Sequence, residues 1–390
     1  MRRIWINARF LDRPITGVER VARELLAALA EGFVDPSGHL PCGTRITLIA
    51  PTSGTAASPW PNLELVRKGR LDGHLWEQLE LPWLTRAEAL VSLCNTGPAL
   101  KREHLIFMHD AQTFAIPETF SAGFGLWYRT LFRIAGRRAG GVLVNSRFTG
   151  AELTRYAGID AGRMHLVRFG TEHARRCRPA SLQDLDLPSG PWLLAFASGN
   201  PNKNFKAVLD ALALLGPEAP PCVVVGACNE RVFGADPSVT KQVHRVGRVD
   251  DSQLRSLYLG ALALAFPSHY EGFGLPPLEA MANGCPAIVS NTGALPEIVA
   301  DAALFCDPKD PETLARAIAD LATRPKLADC YLKRGLAHSS EYSWSAGAQD
   351  LLDACALSFS TPAAPAATTT NTLAIPDTTG ITPAHGALYK

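Results

Sequence analysis

Short apolar runs alternating with amphipathic stretches leave this chain few architectures. Runs at 4–6, 47–49, 89–91, 105–107, 142–144 and 166–168 read as strands, and 18–30 between them has helical periodicity. Ser146 is placed to cap a helix running to about residue 156. Strands alternating with helices predict βαβ units around parallel sheets. A polar, basic stretch broken by Pro179 and Pro188 then interrupts the pattern. The alternation resumes with strands at 192–197, 223–225, 262–266, 287–290 and 304–306. Helices are expected at 203–215, 252–259, 276–283 and 311–323. The expected organisation is an N-terminal Rossmann-like domain over 1–172, a linker over 173–189 and a second domain over 190–341. A segment over 342–358 closes the patterned part of the chain. From about residue 359, Ser, Thr, Pro and Ala dominate, which reads as a disordered tail over 359–390. Two such lobes leave a cleft between them, and ligands of open α/β sheets bind outside the carboxyl ends of the strands.

Composition narrows the function. The chain of 390 residues is 47% hydrophobic and 19% charged, enough apolar material for large cores. A formal net charge of +1 carries no basic surplus, so nucleic acid is not an expected partner. Nine cysteines are scattered without zinc-like spacing, which reads as buried free thiols and no metal site. Asn7, Arg9 and Asp12 interrupt any leader-like apolar region near the start. The longest apolar run, 257–266, is far short of the ~20 residues that span a bilayer. The expectation is a soluble or peripheral cytoplasmic protein.

Neither a phosphate loop G-x-x-x-x-G-K-[ST] nor a complete G-x-G-x-x-G is present, so a P-loop ATPase or a dehydrogenase is not expected. The richest segment runs from Ser268 to Glu279 and follows the apolar strand ending at Phe266. Gly272 and Gly274 let backbone N–H groups approach a ligand, and Pro276 suits the first position of a helix. Exposed N–H groups and the positive end of a helix dipole favour phosphate. Carboxylates there, Glu271 and Glu279, would repel a diphosphate and are better suited to sugar hydroxyls. Phosphate between hydroxyl-bearing ends describes a nucleotide sugar.

This segment resembles the E-x7-E motif of the family 4 glycosyltransferases. Gly247-Arg248-Val249, Pro267-Ser268, Gly284-Cys285-Pro286 and the run from Gly293 to Val299 match further signatures of that family. The resemblance covers roughly residues 4–358. It implies the GT-B fold, an α/β class with two Rossmann-like parallel-sheet domains facing each other across a cleft. It also implies a retaining, metal-independent hexosyl transfer without cofactor. In that family Glu279 would hold the donor ribose and Glu271 the transferred sugar. Amides from Gly272 through Phe273 and Gly274 to Leu275 would contact sugar and phosphate, with the base near Arg248 and Val249. Pro201-Asn202-Lys203-Asn204 resembles the P-x-K-N signature, whose lysine, here Lys203, neutralises the diphosphate. The chain departs from the pattern just upstream, where Ala197-Ser198 replaces the usual Gly-Arg.

In the first half, Gly17 opens a helix where the family's glycine loop faces the donor. His109 follows a strand, so it is expected in the cleft, and His109-Asp110 resembles the family's pair near sugar and acceptor. The pattern looks most like bacterial mannosyltransferases of exopolysaccharide or lipid-linked oligosaccharide assembly. It implies GDP-mannose as donor and a glycan or polyprenol-linked oligosaccharide as acceptor. A catalytically silent nucleotide-sugar-binding partner is the alternative. Finally, Arg129, Arg133 and Arg137 form one stripe of a helix, with Trp127, Leu131 and Ile134 as its apolar face. Such a helix can lie on an anionic membrane, at the inner face of the cytoplasmic membrane, or serve as a domain helix with a solvated face.

Overall fold

The computed structural model describes residues 3–32, 40, 43–185, 187–226 and 242–359. The first sheet has seven parallel strands: β1 (Arg3–Asn7), β2 (Arg45–Ala50), β3 (Leu65–Arg67), β4 (Ala89–Ser92), β5 (His104–Phe107), β6 (Gly141–Val144) and β7 (Met164–Leu166). Their spatial order is 3-2-1-4-5-6-7. The second sheet has six: β8 (Trp192–Phe196), β9 (Cys222–Val225), β10 (Val243–Gly247), β11 (Ala261–Phe266), β12 (Ala287–Ser290) and β13 (Leu304–Cys306). They run parallel in the order 10-9-8-11-12-13. Central strands such as β4, β6 and β9 are buried throughout, which is why they read as unbroken apolar runs. The two strands that sequence did not suggest, β3 and β10, are edge strands without a fully buried residue.

Each sheet reverses its winding at one point, between β1 and β4 in the first lobe and between β8 and β11 in the second. The crevice for a ligand opens at the carboxyl ends of those strands. In the second lobe the flanking loops are 197–204 and 267–274, which carry Lys203 and Glu271. Helix α1 (Gly17–Ala30) follows β1 with a capping box in which Thr16 and Glu19 satisfy each other's backbone N–H groups.

The lobes share one apolar seam. Phe169 lies 4.5 Å from Phe273 and 5.6 Å from Trp344 between ring centroids. The last helix among the described residues, α2 (Trp344–Phe359), lies against α1 and buries Leu351 and Leu352. Arg168 donates to Asp350 at 2.7 Å, which ties this helix to the end of the first lobe. Phe359, which begins the compositional tail, is the last residue of that helix and is buried; 360–390 lie outside the described residues. The basic stretch around 173–180 is not extended chain alone. It forms a short turn of helix at His173–Arg176, and Ser256 donates to the Ala180 carbonyl.

The arginine-bearing helix spans Ala122–Arg138. Its apolar face is not the one expected, because Leu131 points into the core while Trp127 and Ile134 stay about 40% exposed (41% and 39%). Two of the three striped arginines are also engaged: Arg129 donates to the Thr113 carbonyl and Arg133 stacks on Phe114. The seven described cysteines form no disulfide with one another, and Cys42 and Cys228 lie outside the described residues.

Candidate active site

The loop after β11 is shaped by two glycines. Gly274 precedes the helix Leu275–Ala282 at φ 110°, a left-handed conformation that suits glycine, and a Cβ there would lie 2.5 Å from Leu295. At Gly272 the constraint comes from the other lobe, since a Cβ would sit 2.1 Å from the His109 carbonyl oxygen. Ser146 and Thr149 both donate to the Gly272 carbonyl, at 2.6 and 3.0 Å. Ser146 therefore does two jobs: it also caps its own helix by accepting from Thr149 N–H. Glu297 reaches across from the second lobe and accepts from the Arg147 and Phe148 N–H groups. The two lobes meet at this loop.

Beside it lies a cavity of about 110 Å³ lined by Asp110, Gln112, Asn200, Asn202, Lys203, Tyr270, Glu271 and Gly272. Lys203 donates to Glu271 at 2.8 Å and stands 4.7 Å over the Phe266 ring. The lysine expected to face a diphosphate and the glutamate expected to face a sugar are thus paired with each other. Burial raises the Asp110 carboxyl above the usual range, and the neighbouring Glu271 adds to the rise while Lys203 offsets it. Asn202 is only 6% exposed; its Nδ2 donates to the Tyr270 carbonyl, but its Oδ1 has no partner. Gln112 Nε2 is likewise buried and unpaired. Gln112, Asn200 and Asn202 line this cavity with amide side chains beside its charges, a lining that suits a ligand bearing hydroxyl groups.

Glu279 sits one turn into the same helix. It accepts from His173 Nε2 at 2.9 Å and from the Tyr258 hydroxyl at 3.1 Å. Burial would raise its carboxyl, but the hydrogen bonds from His173 and then Tyr258 outweigh burial and hold it below the ordinary range. Glu279 is therefore ionised at neutral pH, with lone pairs left for a hydroxyl-bearing ligand.

The other expected site residues take varied places. His109 is buried and stacked on Phe107 at 4.2 Å, with Nε2 donating to the Leu93 carbonyl. Burial lowers its pKa to about 4. Its side chain is not among those lining the cavity, whereas its neighbour Asp110 is. Phe273 belongs to the seam between the lobes. Gly17 begins α1 in open space, where a Cβ would meet nothing within 4 Å. Arg248 is exposed and Val249 half-buried after β10. Sequence reasoning gave no role to Gln112, Asn200, Tyr270, His173 or Tyr258. Asn202 stands in the quoted signature and Asn200 just before it, so their place beside Lys203 had a signal; His173 lay in what read as linker. Among the described residues, no three His, Cys, Asp or Glu side chains are grouped to hold a metal.

Comparison with known proteins bears on this geometry. Residues 180–335 match the model of the family "Glycosyl transferases group 1". The chain resembles the family 4 glycosyltransferases, and its fold is GT-B. It is 30% identical over 217 residues to O-antigen chain mannosyltransferase B of Escherichia coli, which is 52% of this chain and 57% of that protein. It is 26% identical over 311 residues to a D-inositol 3-phosphate glycosyltransferase of Segniliparus rotundus, covering 74% of this chain and 66% of the relative. The chain thus spans less than two thirds of either relative. Sucrose-phosphate synthase from Thermosynechococcus elongatus superposes with a TM-score of 0.67 at 19% identity, over 90% of this chain and 97% of that one. HepE of Anabaena, solved in complex with UDP, superposes with a TM-score of 0.65 at 15% identity, over 90% and 98%. At such identities the structures speak for the fold alone.

Proposed function

We propose that this protein is a retaining glycosyltransferase that moves a hexosyl group from a nucleotide sugar to a hydroxyl of a glycan or lipid-linked oligosaccharide. The observation that carries the reading is the inter-lobe cavity, where Lys203, Glu271 and Asp110 lie among the amide side chains of Gln112, Asn200 and Asn202. Paired charges and amide side chains fit a polyhydroxyl group better than an apolar ligand. The helix starting at Leu275 directs its N-terminal N–H groups toward the same loop, where a leaving diphosphate would be stabilised without a metal. Mannose, carried by GDP, is the proposed sugar, supported by relatives named as mannosyltransferases. Front-face departure and attack is the proposed route to retention, as the resemblance to the family 4 glycosyltransferases implies.

The test incubates the protein with GDP-mannose, with and without a mannose-terminated glycan. Release of GDP that depends on the glycan is expected. Binding of GDP-mannose without acceptor-dependent release would instead support the silent-partner alternative, and UDP-glucose turnover would overturn the choice of donor.

The same reading includes contact with an anionic membrane through the first lobe. Leu75, Leu79 and Trp83 on one helical segment are each more than 60% exposed (63%, 62% and 64%), and Leu126 on the arginine-bearing helix is 63% exposed. His74 and Trp127 bring the two segments together at 5.9 Å. That helix carries Arg129, Arg133, Arg137 and Arg138 and no acidic residue. No helix among the described residues is long and apolar enough to cross a membrane. Flotation with phosphatidylglycerol-containing vesicles is expected to carry the protein. Replacing Leu79 and Trp83 by serine should abolish it, and equal binding by the variant would argue against this surface.

A further inference from the structure

The carboxylate of Glu279 is held by a chain of hydrogen bonds that begins on the last helix. Trp344, the first residue of α2, donates its indole N–H to His173 Nδ1 at 3.0 Å. His173 Nε2 then meets Glu279 Oε1 at 2.9 Å. An indole nitrogen only donates, so Nδ1 of His173 must accept and carries no proton. The single ring proton is therefore on Nε2, the atom facing the carboxylate. Tyr258 completes the support on the other oxygen.

The start of the chain is itself fixed. Glu172 accepts from the Trp344 backbone N–H with both carboxylate oxygens, at 3.1 and 3.2 Å. Trp344 packs on Phe169, and both its ring and His173 are buried. A Cβ at Gly170 would lie 2.2 Å from the Trp344 nitrogen, so the segment between the lobes wraps tightly around this residue.

We propose that Trp344 and His173 are positioning residues that set the orientation of Glu279 for the donor, through the tautomer that the indole imposes on the imidazole. The proposal rests on the reading of Glu279 as a donor contact. Its physical content is simple. Without the indole N–H the imidazole is free to carry its proton on Nδ1, which turns a lone pair toward the carboxylate and removes a hydrogen bond from it. The last helix would then act on the donor site although it supplies no group to the cavity.

Calorimetric titration of GDP and of UDP into the whole chain tests this, using Trp344→Phe, Glu279→Gln and the double variant. Phenylalanine keeps an aromatic ring against Phe169 and removes the donor together with the second ring of the indole, so a melting curve of each variant accompanies the titration. Trp344→Phe is expected to raise the nucleotide Kd about tenfold, the scale of one charge-assisted hydrogen bond. In the Glu279→Gln background the same substitution should add little, since contacting residues are non-additive. If Glu279→Gln weakens binding and Trp344→Phe does not, the relay is wrong and the donor reading of Glu279 stands. If Glu279→Gln leaves binding unchanged, the donor reading fails and takes the relay's purpose with it. A ligand-free arm uses long-range proton–nitrogen spectra of the imidazole rings, with His173 assigned by its loss in His173→Gln. The wild-type ring should be protonated on Nε2 alone and should change in Trp344→Phe. A proton on Nδ1 in the wild type overturns the relay outright.

Discussion

Replacing Lys203 with alanine is expected to weaken binding of the nucleotide sugar by about ten- to a hundredfold, the worth of one desolvated charge-assisted contact. The structure makes this more than the loss of a phosphate cation. Lys203 is hydrogen-bonded to Glu271 and 28% exposed at its side chain, while Glu271 is 14% exposed. Removing the lysine leaves Glu271 beside Asp110, whose carboxyl burial and Glu271 already push upward. Two carboxylates on one small cavity then resist joint ionisation, so the variant should take up a proton that the wild type does not hold. Donor affinity in Lys203→Ala should accordingly fall further as pH rises and this proton is lost, because a diphosphate is repelled by the second charge. Calorimetry with GDP-mannose between pH 6 and 8, beside a melting curve, measures both effects. The double variant Lys203→Ala/Glu271→Gln should recover melting temperature without recovering donor affinity. Unchanged donor affinity in Lys203→Ala would remove this residue from the donor site.

Which parts of this were legible depends on whether a residue's neighbours are near in sequence. Ala287–Ser290 appears in the structure with the bounds that its apolar run suggests, because a buried parallel strand writes itself as a continuous run; Leu304–Cys306 does so too, although it lies at a sheet edge with Phe305 exposed. The strand at Val243–Gly247 did not, since His244 and Arg245 interrupt it at a sheet edge. The glycine at 274 was legible as a helix start from the prolines that follow. The reason for Gly272 was not, because the atom that excludes a side chain there is the His109 carbonyl, 163 positions earlier in the chain. Lys203 and Glu271 were each singled out, but their pairing needs the two loops at one switch point to be brought together. His173 and Trp344 illustrate the limit most plainly: one lay in an apparent linker and the other on a terminal helix. Only the folded seam between the lobes shows that both reach Glu279.

The two glutamates should respond differently to the same substitution. Glu271→Gln is expected to lower kcat on the order of a hundredfold, as for the loss of one preorganised electrostatic group, with a smaller change in KM. This follows if Glu271 supports positive charge that develops on the sugar ring, an interaction stronger in the transition state than in the ground state. The substitution frees Lys203 from its partner, leaves it facing Asp110 alone and removes one negative charge from the cavity. Glu279→Gln is expected to act through donor affinity, because a ribose contact is nearly the same in both states. Its fold should persist for a specific reason. With His173 donating from Nε2, the new amide must turn its oxygen to the imidazole and its NH₂ to Tyr258, whose hydroxyl can rotate and accept. Each variant is measured over a donor titration at saturating acceptor, with a melting curve alongside. A kcat loss at position 279 equal to that at 271 would show that both carboxylates act on the reacting sugar. Near wild-type turnover and affinity in both would mean that this loop holds no donor, and the silent-partner alternative would gain.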